Sequence, residues 1–291
     1  MLNRDTPESQ ENIEEANTFA GAFYAGIDLT LNAYKEYHPY IEGILPAPGR
    51  MMRDRVITKN LWPRAFGWVS SLQKLNGTID YQAIAAGCRS LIEILVDVVL
   101  LTEADGDEAA GQMFIFADSE KFKMCQSATK YFKDRGEAVP DEYSEQEGFI
   151  ARNFDRVMMA RKERWGGKHP MRWTGRDLSQ DVEAIDKRHS AIFIEELEMP
   201  LTKLYRTEYR RICWHIHSGL ASTWEMPAET FSTIAGFSLK WSAELAMLIV
   251  QFILKDLRIL EVNPQLEEHW QDLRNARVKI FEERVLGYTE S

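Results

Sequence analysis

Residues 81–102, YQAIAAGCRSLIEILVDVVLLT, decide the architecture. The stretch holds no proline, and its charges are confined to Arg89, Glu93 and Asp97. Each step of four residues on a helix advances about 40°, so these three form one narrow polar stripe. Leu91, Ile92, Ile94, Leu95, Val96, Val98, Val99 and Leu101 occupy most of the remaining circumference. A helix that is apolar nearly all round packs on most of its sides, and here the partners are other helices. Charges in such surroundings persist when paired. Arg89 and Glu93 are therefore expected to pair with each other or with groups on a neighbouring helix, unless the stripe is only a solvated face.

The segments on either side have the same helical character. Phe19, Phe23, Ile27 and Leu31 repeat at helical spacing between Glu11 and about Tyr37, and HPYIEGILPAPG then predicts a break. A second helical region covers about 51–75, where Pro63 starts a fresh helix or kinks the old one and Asn76-Gly77 closes it. Helices are expected over about 108–132 and 144–165, followed by one capped by Thr174, with Asp177 near its first turn, that runs to about His189. SAIFIEELEMP reads as either helix or extended chain. A helix from Leu201 to Gly219, a long one from Pro227 to about Ile259 and a last one over about 264–285 complete the chain. No strand-turn-strand signal, glycine-rich phosphate loop or heptad seam is present. The fold class is all-α, a multi-helix bundle of roughly eight to ten helices. Residues 1–10 are read as a mobile acidic tail and 11–291 as a single helical domain.

The chain has 45% hydrophobic and 27% charged residues, the balance of a globular protein with a sizeable core. A net charge of −10 argues against wholesale coating of nucleic acid or of an anionic membrane, although a local basic patch can still hold RNA. Cys88, Cys125 and Cys213 are odd in number and widely spaced, so no disulfide framework, metal site or other cofactor is expected. A reducing cytoplasm is the expected location. The polar N-terminus has no apolar run of the signal-peptide kind, and the apolar runs 91–101 and 245–254 are too short to span a bilayer, so no membrane partner is expected.

Two stretches carry chemistry. In LTKLYRTEYRRICWHIHSG, residues 201–219, Tyr205, Tyr209, Cys213 and His217 recur every fourth residue. Arg210 lies two turns before His217, and Arg211 and His215 form a second pair one turn apart. A permanently charged guanidinium near an imidazole suits acid–base work on an anion. Cations at a helix C-terminus and tyrosines in an amphipathic face also account for the pattern. The second stretch, 151–176, carries Arg152, Arg156, Arg161, Lys162, Arg164, Lys168, Arg172 and Arg176 with Trp165 and Trp173 among them. Basic residues interleaved with aromatics are the composition of a surface that holds phosphates and stacked bases, and also of an ordinary solvated face.

Arg89-x3-Glu93, then HPMRWTG around Trp173, then Tyr205-x3-Tyr209-x3-Cys213-x3-His217-Ser-Gly, resemble over about residues 50–255 a domain-of-unknown-function family of helical bacterial proteins. In that family an Arg-x3-Glu helix precedes a Trp-Ser/Thr-Gly element and Tyr-x3-Tyr-x3-Ser-x3-His. The chain departs from it with Cys213 in the serine position, and it adds His215. The resemblance implies the helical fold and the choice of site residues, and no activity. Arg210-x6-His217, Arg211-x5-His217 and Arg210-x4-His215 are also similar in spacing to the Arg-x4-6-His motif of HEPN helical domains. That similarity implies a metal-independent endoribonuclease, with toxin or defence roles.

Two functions follow as expectations. In an endoribonuclease, His217 removes the 2′-OH proton and Arg210 stabilises the phosphorane, with Arg211 and His215 as the second pair. Tyr205 or Tyr209 orients the phosphate, and Arg156, Arg161, Lys162, Arg164, Trp165, Lys168 and Arg172 hold RNA. A homodimer would double the charge of the cleft. In a non-catalytic binding or assembly module, Arg89, Glu93, Tyr205, Tyr209 and His217 instead form a buried network that fixes helix register, with Trp173 in support and a partner protein as ligand.

Overall fold

The computed structural model describes the backbone of residues 7–45, 48–75, 79–104, 107–216 and 228–289. Side chains are described for these except 7–20, 22, 142, 144, 228, 229 and 281–289. All regular elements among the described residues are helical. In order they are α1 (Pro7–Glu42), α2 (Met51–Val56), a π-helical turn (Ile57–Leu61), α3 (Trp62–Leu72), α4 (Tyr81–Thr102), α5 (Glu108–Asp134), a 3-10 turn (Asp141–Tyr143) and α6 (Ser144–Trp165). Then come α7 (Leu178–Leu197), α8 (Leu201–Leu204), a second π turn (Tyr205–Tyr209), α9 (Arg210–Ile216), α10 (Ala228–Asp256), α11 (Ile259–Val262) and α12 (Pro264–Thr289). The protein is an all-α helical bundle.

The chain divides into two compact units. The first comprises residues 1–48, 54–103 and 182–291. Helix α4 packs there against α10, α3 and α9, and α10 also lies along α1. The apolar residues of α4 from Leu91 to Val99 are buried, as the near-continuous apolar circumference requires. Each such side chain contributes about 1.5–3 kcal/mol. Gly87 lets α4 approach α3, since a Cβ there would come 2.8 Å from the Leu72 side chain. Thr230–Asp256 is long and apolar enough to cross a membrane, but 78% of its apolar window is buried inside the protein as core. Tyr37 of α1 donates to the Leu266 carbonyl at 3.0 Å and meets Trp270 edge-on, which ties α12 to α1.

Proline placement departs from the sequence expectation. α1 does not break at Pro39 but continues to Glu42, because Tyr34, Tyr37 and Ile41 are all buried along it and their packing outweighs the lost backbone bond. Pro63 occupies the first turn of α3, and the turn before it is widened to the π form, with the Trp62 N–H reaching the Ile57 carbonyl. SAIFIEELEMP is helical as far as Leu197, with Phe193, Glu196 and Leu197 buried, so α7 runs past His189.

The second unit comprises residues 49–53 and 104–181. α5 and α6 pack together, with Phe122 and Phe154 rings 6.0 Å apart. Gly166 in the left-handed conformation ends α6. In the loop that follows, Trp173 is buried and Gly175 has φ +77, with the Trp165 ring 3.0 Å from where its Cβ would stand. The fully buried Asp181 carboxylate accepts from Arg172 Nε at 2.8 Å, Thr174 Oγ1 at 2.9 Å and Arg176 Nε at 2.7 Å. Thr174 is therefore not the helix cap. Asp177 caps α7, its carboxylate accepting the Gln180 N–H at 2.8 Å while Gln180 Oε1 accepts the Asp177 N–H at 3.1 Å, a reciprocal capping box. The Thr174 hydroxyl has been recruited by the buried carboxylate, whose desolvation makes each donor more valuable than an exposed cap.

Candidate functional site

The segment from Leu201 begins at a cap supplied by another helix. Asp186 of α7 accepts the Leu201 N–H at 2.9 Å and the Thr202 N–H at 2.6 Å. Pro200, just before, is extended and fits a helix start. Leu201, Leu204 and Ile212 are buried and anchor the segment, and α9 packs on α4. Between α8 and α9 the backbone takes the π turn, a local widening often found at functional sites.

That turn presents Tyr209 to α4. Its hydroxyl donates to Glu93 Oε1 at 2.7 Å, and Arg89 Nε donates to the same oxygen at 3.0 Å. The Arg89 guanidinium stands 5.8 Å from the centre of the Tyr209 ring, a cation–π contact, and Tyr205 stacks on the other tyrosine at 5.0 Å. Tyr209 is 8% exposed. The Arg89 and Glu93 side chains are 37% and 36% exposed, so the charged end of the assembly reaches solvent. Cys213, half-buried, lies within reach of Arg89, Tyr209 and Glu93.

The protonation states follow from these contacts. Burial, and then the bond to Glu93, raise the Tyr209 phenol well above its ordinary range, so it stays a donor. Burial disfavours the Arg89 charge, but the bond to Glu93 and the electrostatic pull of Tyr209, Glu93 and Cys213 together outweigh it, and the guanidinium stays charged. Burial raises the Cys213 thiol, while Arg89 and Tyr209 pull it back. The result is a fixed cation, a doubly bonded carboxylate and a phenol donor in one place.

The other candidates lie elsewhere. Arg210 is exposed. Arg211 pairs with Glu208 and covers the Phe237 ring at 5.2 Å. His215 is buried, its Nδ1 has no hydrogen-bond partner, and burial followed by Arg211 lowers its pKa, which keeps the ring neutral. His217 lies outside the described residues. Trp173 belongs to the second unit, buried in the Asp181 loop. In that unit Arg156 pairs with Asp118 at 2.7 Å, Arg164 with Glu108 at 3.2 Å and Arg172 with Asp181. Arg161 is half-buried, Trp165 meets Phe116 edge-on at 6.5 Å, and Lys162 and Lys168 are exposed.

Sequence reasoning missed a second polar cluster. Glu196, Glu244 and Arg277 are buried together, Arg277 lying 2.9 Å from Glu196 and 3.0 Å from Glu244. The available signal was Glu244, a charge among the apolar residues of α10 comparable to Glu93 in α4.

A helical protein carrying an Arg–Glu–Tyr assembly is the class that fold and site define. A family model described as a family of unknown function (DUF5677) matches residues 75–228, just over half of the chain, and the chain belongs to that family. The match takes in Arg89, Glu93, Trp173, Tyr205, Tyr209, Cys213 and His217. No curated protein and no solved structure matches the chain.

Proposed function

We propose that the protein is a metal-independent endoribonuclease of the HEPN-like kind, working where α9 meets α4. The observation that carries the reading is the Arg89–Glu93–Tyr209 assembly on a π turn, its charged end open to solvent and His217 following α9 in the chain. His217 takes the proton of an RNA 2′-OH, the role of a general base for which imidazole is suited. The 2′-oxygen attacks the adjacent phosphorus, the P–O5′ bond breaks, and the leaving oxygen takes a proton from water. The products are a 2′,3′-cyclic phosphate and a 5′-hydroxyl. Arg89, locked by Glu93, and the exposed Arg210 stabilise the phosphorane charge, while Tyr209, whose hydroxyl proton goes to Glu93, holds that carboxylate in place. Arg152, Lys162 and Lys168 of the second unit, all exposed, offer phosphate contacts.

The test is incubation of wild type and His217→Ala with a mixed RNA pool in EDTA, with sequencing of fragment ends. Cleavage at defined ends by wild type alone supports the reading. Equal cleavage by both, or none by wild type, rejects it.

The near-complete burial of Tyr209 and the doubly accepting Glu93 oxygen favour a second reading, a binding or assembly module in which the assembly locks helix register. On that reading Tyr209→Phe lowers the melting temperature and RNA is untouched.

A further inference from the structure

Residues 205–216 hold three arginines, and two of them are engaged, Arg206 with Glu183 at 2.9 Å and Arg211 with Glu208. Arg210 is exposed, and among the described residues its guanidinium has no ion-pair partner. One turn on, Trp214 is 52% exposed, whereas the other tryptophans with described side chains are half-buried or buried. An indole is among the largest apolar surfaces a side chain offers, and leaving half of it in water forgoes that burial.

Each residue of α9 advances about 100°, so Cys213, Arg210 and Trp214 follow one another round the helix, about 60° and then about 40° apart. They lead away from the side that Tyr209 turns to α4. Cys213 is in turn within electrostatic reach of Arg89. One surface therefore runs from Arg89 past Cys213 to Arg210 and Trp214. The exposed residues of α9 are Arg210, Arg211 and Trp214, so the ring stands among cations and not in an apolar patch. A protein partner's anchor is seated in an apolar core depleted of charge, whereas a nucleic-acid strand brings a flat base and an anionic phosphate side by side. Cations flanking an open ring suit the strand. A duplex keeps its bases stacked on one another, so only an unpaired base can reach such a ring.

We propose that Trp214 stacks on an unpaired base of the substrate, beside phosphates held by Arg210 and Arg89, and thereby restricts the site to single-stranded RNA. The choice of RNA rests on the endoribonuclease reading. Trp214 is a binding residue that sets specificity and takes no part in proton transfer.

The test is binding of a short 2′-O-methyl RNA of mixed sequence, whose blocked 2′-oxygen cannot attack, to the full-length protein at physiological salt. Anisotropy of a labelled strand reads affinity, and quenching of the protein's tryptophan fluorescence by an unlabelled strand reads stacking. The single strand should bind at least about tenfold more tightly than the same strand in a duplex. Trp214→Leu stays apolar but loses the flat face, and should weaken single-strand binding by about tenfold with the melting temperature unchanged. Trp214→Phe should bind within about threefold of wild type and lose most of the quenching. Its quenching serves alone if Trp214→Leu lowers the melting temperature. No binding by wild type, equal affinity for the duplex, wild-type affinity in Trp214→Leu, or undiminished quenching in Trp214→Phe overturns the proposal. Because the probe cannot be cleaved, the two readings fail separately. Ring-dependent binding without RNA cleavage rejects the nuclease and keeps the stacking site. Cleavage that Trp214→Leu leaves intact, on single strands and duplexes alike, keeps the nuclease and rejects the site.

Discussion

The Tyr209 hydroxyl is bonded to Glu93, 116 residues earlier in the chain, at 2.7 Å. The bond joins the π turn to the central helix and shares its acceptor oxygen with Arg89. A hydrogen bond to a charged group contributes about 1.5–3 kcal/mol when buried, and Glu93 is open enough for water to replace part of that. Tyr209→Phe should therefore cost about 1–1.5 kcal/mol in urea unfolding. In a double-mutant cycle with Glu93→Gln the two losses should fail to add by roughly 1 kcal/mol. Additive losses would show that the bond contributes nothing to stability.

The apolar circumference of α4 was legible in the sequence because a helix buried on most sides has to be apolar on most sides, whatever surrounds it. The pairing of Arg89 with Glu93 was legible for a related reason, since four residues on a helix bring side chains into contact without help from the fold. Tyr209 was expected beside them only as one of several members of an alternative network, and its bond to Glu93 was not readable, because contact between distant helices depends on packing across the whole unit. Nor was the π turn, which has no composition signal of its own. Thr174 misled because a threonine before an acidic residue looks like a cap, and only the position of Asp181 shows that its hydroxyl is engaged elsewhere. Pro39 misled because local propensity was set against the burial of Tyr37 and Ile41, and burial won.

Asp181 holds three donors in the Trp173-Thr174-Gly175 loop, and its carboxylate is fully buried. Asp181→Asn keeps the shape but removes the charge opposite Arg172 and Arg176. Breaking a buried pair from one side costs about 3–5 kcal/mol, and the partly exposed Arg176 moderates it, so about 3 kcal/mol is expected. Chemical unfolding followed by tryptophan fluorescence reads this, since Trp165 and Trp173 report on the loop. A loss under about 1 kcal/mol would mean that the arginines are satisfied without the carboxylate.

His215 is buried with an unpartnered Nδ1, and burial, with Arg211 adding, lowers its pKa from the ordinary 6.5. The unfolded chain therefore takes up a proton first as the pH falls. Its contribution is present above 6.5 and is lost as the pH drops through the lower folded value. Between pH 8 and pH 5 the wild type should lose stability relative to His215→Gln, which cannot take up that proton. Parallel profiles would remove His215 as a cause of acid sensitivity.

Glu244 has the opposite sign. Burial raises its pKa from 4.5 to about 7, with Glu196 and Glu198 adding and Arg277 and Lys240 resisting. The folded protein therefore holds a proton that the unfolded chain releases in that interval. The resulting stability is complete below 4.5 and is lost as the pH rises through about 7. Glu244→Gln also breaks the contact with Arg277, so its absolute stability is a poor measure, and the slope is the useful one. Between pH 5 and pH 8 the wild type should lose stability relative to Glu244→Gln, and above pH 8 the difference should level off. Because His215 acts with the reverse slope over part of the same range, the comparison is made in a His215→Gln background, where a flat difference would show that Glu244 titrates as an ordinary carboxyl.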